Sequence, residues 1–67
     1  MYGERIKQLR NAHNFTQEDL SIQLEVSRPT VNRYERETRD ISTNILIQLS
    51  QIFNVSTDYI LGITDKK

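Results

Sequence analysis

Arg28, Arg33, Arg36 and Arg39 fall in one short stretch of the sequence, together with Pro29 and Asn32. These residue types share a chemistry. An arginine guanidinium donates two parallel hydrogen bonds to guanine, an asparagine amide pairs with adenine, and a proline ring offers apolar contact to a thymine methyl. Arginines farther along such a stretch meet phosphates, which position a protein on duplex DNA without reading its sequence. Arg28, Pro29, Asn32 and Arg33 are therefore the candidate base readers, and Arg36 and Arg39 the candidate contacts to the DNA backbone. Charge alone favours a plainer reading, an ordinary solvated helix surface, so the placement of these residues has to decide.

Catalysis finds no comparable material. The chain has one histidine, no cysteine and no glycine-rich phosphate loop, whereas an active site needs a convergent nucleophile, base or metal ligands. His13 falls at the end of a helical pattern, where a cation meets the helix dipole favourably, and Glu18 with Asp19 falls in a first turn, where negative charge is stabilising. The expectation is a protein that is not an enzyme and has no catalytic residue, metal, cofactor or small-molecule ligand.

The elements that would position the arginines are helices. Tyr2, Ile6, Leu9 and His13 recur along one helical stripe. Phe15-Thr16 followed by Asp19 and Leu20 then gives a hydroxyl cap, a carboxylate three residues on and an apolar pair bracketing the cap. The same bracket recurs at Val26-Ser27 with Val31, at Ile41-Ser42 with Leu46 and at Val55-Ser56 with Ile60. These starts predict an all-α chain of five helices, at about 2–13, 16–24, 27–36, 42–53 and 56–61. Pro29 suits the first turn of the third helix, where its missing N–H has no partner to lose. Ile45, Leu46, Leu49, Ile52 and Phe53 mark the side of the fourth helix that closes the core. Asn54 and Gly62 stand where a left-handed residue ends a helix.

Only Glu25 and Val26 separate the second helix from the cap of the third, so the two must cross steeply, as in a helix-turn-helix. At 100° per residue from Arg28, Asn32 lies at roughly 40°, Arg36 at roughly 80°, Pro29 at roughly 100° and Arg33 at roughly 140°. Thr30, Val31 and Tyr34 fall on the opposite arc, able to pack onto the second and fourth helices. Gln17, first in the second helix, adds N–H groups at a further candidate backbone contact.

Sixty-seven residues make one domain at most. A net charge of zero argues against a broadly cationic protein that coats nucleic acid, but a local basic face suffices to hold a duplex. The longest apolar run, Ile45-Leu46-Ile47, is far short of a membrane span, and the first residues lack a secretory signal's pattern. A soluble, cytoplasmic protein with no membrane partner is expected.

Across nearly its whole length, Ile6 to Gly62, the sequence resembles the helix-turn-helix regulators of the Cro and phage-repressor type (XRE-like). The resemblance is carried by Ile6-Lys7-Gln8-Leu9-Arg10, by Thr16-Gln17-Glu18-Asp19-Leu20, by the run Val26 to Glu35 and by the run Asn54 to Gly62. It implies a compact five-helix, lambda-repressor-like DNA-binding domain, with Gln17, Ser27, Arg28, Pro29, Asn32 and Arg33 at the DNA. It also implies that Arg10 and Glu35 form a fold-locking ion pair. The sequence departs from the family pattern at Glu25 and Glu37, where glycine is usual, and at Ile41, where proline is common. A left-handed glutamate at position 25 costs on the order of 1 kcal/mol, which a folded domain absorbs.

One recognition helix reads only a few base pairs, so useful specificity calls for a homodimer on a palindromic double-stranded operator, with half-sites about 34 Å apart. Val55, Tyr59, Ile60 and Ile63 are the candidate dimer surface, and closing the core would use the same residues equally well. The expected function is transcriptional repression by occupying an operator. The alternative is an antitoxin or adaptor whose groove face binds a protein chain.

Overall fold

Five helices and no strands make up the computed structural model, which describes all 67 residues: α1 (Tyr2–Ala12), α2 (Gln17–Leu24), α3 (Arg28–Arg36), α4 (Thr43–Phe53) and α5 (Thr57–Leu61). Thr16, Ser27, Ser42 and Ser56 cap α2 to α5, each accepting the backbone N–H three residues on. At Thr16 the exchange is reciprocal, because the Asp19 carboxylate accepts the Thr16 N–H at 2.9 Å. The expected starts of these four helices lie one residue early because they count the cap, whose own backbone is extended. The first helix ends at Ala12 rather than at position 13: His13 leaves the helical conformation as C-cap, and Asn14 turns left-handed at φ 59°. The His13 ring still serves that end, with Nδ1 2.9 Å from the Leu9 carbonyl and the ring 5.0 Å from that of Phe53.

Glu25, Glu37, Asn54 and Gly62 close α2 to α5, all in the left-handed conformation. The chain takes this course even where two of the four are glutamates, because a folded core of many contacts outweighs a local cost of this size.

Ile6 and Leu9 of α1, Leu20 and Leu24 of α2, Val31 and Tyr34 of α3, Ile45, Leu49 and Phe53 of α4, then Val55 and Ile60, form one core. The inner member of three apolar brackets, Leu20, Val31 or Ile60, is fully buried; Phe15 and Val26 pack against the core's edge, and Val55 joins the core itself. At the fourth bracket Ile41 and Leu46 are both half-buried. α3 lies on α1 and α2, while α5 closes the far side against α1 and α4. Gly3 sits where α1 meets the end of α3: a Cβ there would stand 2.4 Å from the Glu35 carbonyl oxygen, so no larger residue fits without a shift.

This packing corrects two of the four candidate dimer residues. Val55 and Ile60 retain 7% and 0% of their exposure, so both are spent in the core and offer no surface to a second chain. The reason is α5 itself, five residues long, whose bracket pair supplies its fully buried contacts, with Tyr59 only partly buried against the core. No helix is long and apolar enough to cross a membrane.

Candidate nucleic-acid interface

The cap at Ser27 and Pro29 in the first turn start α3, and Glu37 ends it, fixing nine helical residues whose two sides differ sharply. Thr30, Val31 and Tyr34 are buried; Arg28, Pro29, Arg33 and Arg36 are exposed and Asn32 is half-buried. The five outer side chains and Thr38 line one open concavity, polar except for the Pro29 ring. All four candidate base readers therefore share one surface with Arg36, while Arg39 lies exposed in the loop beyond.

The turn before α3 is built from backbone. Glu25 at φ 57° lets its N–H reach the Ile22 carbonyl at 3.3 Å and lets the Val26 N–H reach Ser21 at 3.0 Å, so orphan carbonyls of α2 are satisfied within the turn. Three further contacts fix how α3 sits on the other helices. The Arg10 guanidinium donates to Glu35 from Nε at 2.6 Å and from Nη2 at 3.3 Å, and Nη1 donates to the Phe15 carbonyl at 2.8 Å. The Gln17 amide donates to the same Glu35 carboxylate at 3.2 Å. With side chains only 11% and 4% exposed, Arg10 and Glu35 are a desolvated pair joining α1, α2 and α3. The Gln17 side chain is thus tied into this network, with one amide hydrogen engaged.

Sequence reasoning missed how the charges are sorted. Six arginines are present. Arg5 pairs with Asp65 at 3.0 Å and Arg10 with Glu35, whereas Arg28, Arg33, Arg36 and Arg39 pair with no carboxylate. Of the carboxylates near them in sequence, Glu25 is exposed and unpaired, and the three from Glu35 onward are drawn toward α1. Glu35 takes Arg10, Glu37 accepts the Gly3 N–H at 3.3 Å, and Asp40 accepts the Tyr2 hydroxyl at 3.5 Å. Burial, and then the negative charges of Asp40 and Glu37, push the Tyr2 phenol above its ordinary value, as expected for a group on the acidic side of this divide. A chain of zero net charge thereby presents one uncompensated positive face. Spacing alone does not reveal this, since Glu35 falls within roughly 20° of Arg28 around α3, and the tertiary partners of Glu37 and Asp40 have no local signature.

The remaining candidates sit apart. Ser27 is exposed at the start of α3, its oxygen engaged with Thr30. Tyr59 is half-buried beneath the Arg5 guanidinium, 4.1 Å from its ring centroid, and Ile63 is 70% exposed on the same C-terminal side of the molecule.

A family model described as Helix-turn-helix matches residues 6–60. The HTH-type transcriptional regulator ImmR of Bacillus subtilis (strain 168) is 40% identical over 60 residues, which are 90% of this chain and 47% of ImmR. The antitoxin PezA of Streptococcus pneumoniae serotype 4 is 39% identical over 62 residues, 92% of this chain and 39% of PezA. Among solved structures, the P22 c2 repressor in complex with synthetic operator 9T superposes with a TM-score of 0.83 at 28% identity, covering 90% of this chain and 91% of that one. The chain thus spans about half the length, or less, of the curated relatives it matches.

Proposed function

Since the chain belongs to the helix-turn-helix family of Cro and phage-repressor type, we propose that it is a sequence-specific regulator that inserts α3 into the major groove of double-stranded DNA. The observation that carries this reading is the set of four arginines on and just beyond α3 that lack any carboxylate partner, beside an asparagine and a proline on the same face. Arg28, Pro29, Asn32 and Arg33 read base edges. Arg36, Arg39, Ser27 and the N-terminal end of α2 at Gln17 hold phosphates.

A nine-residue helix rises about 13 Å, enough for a few base pairs, so an operator of useful length needs two copies related by a two-fold axis. With Val55 and Ile60 committed to the core, Tyr59 and Ile63 are the residues left to form that contact. Occupying the operator excludes polymerase, and repression follows without an effector. A second reading, an antitoxin or adaptor that holds a protein chain, is favoured by the likeness to PezA. It does not by itself call for arginines and an amide together on α3.

Selection of duplexes from a random library, followed by salt titration of the best one, separates the two. The DNA reading expects a palindromic consensus and a loss of about 1–3 kcal/mol for Arg28→Ala, centred on one base position. With Arg36 and Arg39 as the phosphate-holding arginines, the slope of log K on log salt is about −2 per copy and about −4 for a dimer. Absence of any enriched sequence makes the protein-binding reading the leading one.

A further inference from the structure

Ser27 and Thr30 lie one turn apart at the start of α3, with their hydroxyl oxygens 2.7 Å apart. The Thr30 N–H also donates to the Ser27 oxygen, at 3.2 Å. Thr30 is 7% exposed and its hydroxyl makes no hydrogen bond other than the one with Ser27, while Ser27 is exposed. Two arrangements of the hydroxyl hydrogens are open to such a pair. If Ser27 donated, the Thr30 hydrogen would be left in the protein without an acceptor, which buried polar groups avoid. Burial therefore favours Thr30 as the donor. The Ser27 oxygen then accepts twice, from the N–H and the O–H of Thr30, and both its lone pairs are filled. Its hydrogen is all it has left to offer, and Ser27 is exposed at the start of α3, next to Arg28 in the chain.

We propose that Thr30 is a positioning residue for DNA binding, acting through Ser27: its hydroxyl fixes the Ser27 hydroxyl as an obligate donor, matched to a phosphate oxygen. This inference rests on the DNA-binding reading above. A non-bridging phosphate oxygen accepts and never donates, so a serine that can only donate suits it, and one free to turn either way must first be ordered. Thr30 thus sets the register of a neighbour that touches DNA while meeting none itself. A packing role alone would leave Thr30 and valine equivalent at this position, since the two have the same shape.

The test uses the whole chain and the duplex obtained by the selection above. Thr30→Val is expected to weaken binding about three- to tenfold, the range of one hydrogen bond, and Thr30→Ser to restore it. Ser27→Ala weakens binding at least as much, and adding Thr30→Val to Ser27→Ala causes no further loss. Wild-type affinity in Thr30→Val, or an equal loss in the Ser27→Ala background, overturns the assignment. So does failure of Thr30→Ser to restore binding. A measurement on the unmodified chain guards against a variant that does not fold: by NMR, the Thr30 hydroxyl proton exchanges slowly and the Ser27 hydroxyl proton fast. The reverse order also refutes the assignment. If wild type enriches no duplex, the DNA reading itself fails and the role of Thr30 falls with it. If wild type binds and Thr30→Val binds equally, only the role of Thr30 falls.

Discussion

Two glutamates hold left-handed conformations in this small domain, and they should respond differently to glycine. Glu25 has φ 57° and ψ 42° in the turn before α3, and its exposed side chain has no ion-pair partner. Glu37 has nearly the same backbone, φ 58° and ψ 31°, but its carboxylate accepts the Gly3 N–H and so caps the start of α1. Left-handed backbone costs a residue with a Cβ about 1–2 kcal/mol. The greater freedom of glycine in the unfolded chain offsets about 0.5–1 kcal/mol of the gain from removing that Cβ. Glu25→Gly is therefore expected to stabilise by about 0.5–1 kcal/mol, and at about 4–8 °C per kcal/mol for a domain of this size the melting temperature rises by about 2–8 °C. Glu37→Gly makes the same backbone gain but loses a hydrogen bond worth about 0.5–1.5 kcal/mol, leaving its melting temperature close to wild type. Thermal unfolding followed by circular dichroism at neutral pH resolves the two. An unchanged or lower value for Glu25→Gly refutes the strain argument. A rise for Glu37→Gly equal to that for Glu25→Gly refutes the capping role of Glu37.

Arg10→Ala leaves the Glu35 carboxylate buried and without its cation, a loss of about 3–5 kcal/mol. That equals the whole stability usual at this size, and circular dichroism should show a largely unfolded chain at 37 °C. The raised Tyr2 phenol favours the neutral form in the folded state, so its contribution is present below the ordinary value of 10.0 and is lost as pH rises through the folded value. Urea unfolding at pH 8 and pH 11 should show a smaller alkaline loss for Tyr2→Phe than for wild type; equal losses would remove Tyr2 as a source. Ile63→Asp should stay folded and sediment as a monomer where wild type sediments as a dimer, whereas Ile60→Asp, at 0% exposure, should unfold. A folded dimer in the first case rules out the Ile63 surface.

The fold was legible because its signals are local. A hydroxyl cap and a bracketing apolar pair, joined at Thr16 by a carboxylate three residues on, act within six residues, and each start they mark is found one residue from its expected place. The outward face of α3 was equally legible, since periodicity alone puts Thr30, Val31 and Tyr34 inside and the arginines outside. Periodicity failed at α5. Val55 and Ile60 look like surplus apolar residues when counted along the chain, but a five-residue helix has few side chains with which to attach itself, and both went to the core. The partners of Glu37 and Asp40 were not legible at all. Each lies more than thirty residues from the α1 group it meets, and only the close approach permitted by Gly3 brings those groups together.

That long-range sorting bears directly on how such a protein would discriminate among sequences. Non-specific affinity for DNA grows with the number of phosphates neutralised, and a chain with cations spread over its surface holds any duplex. Here two of the six arginines are paired with carboxylates of the chain itself, and Glu35, Glu37 and Asp40 are engaged with residues of α1. Four arginines remain, and in the proposed complex two of them face bases. Few contacts are then blind to sequence, so the ratio of specific to non-specific affinity depends chiefly on α3 and on the second copy that doubles it. The structural pair Arg10–Glu35 contributes to that ratio without touching DNA, because it removes one cation from the surface while fixing the helix that carries the readers.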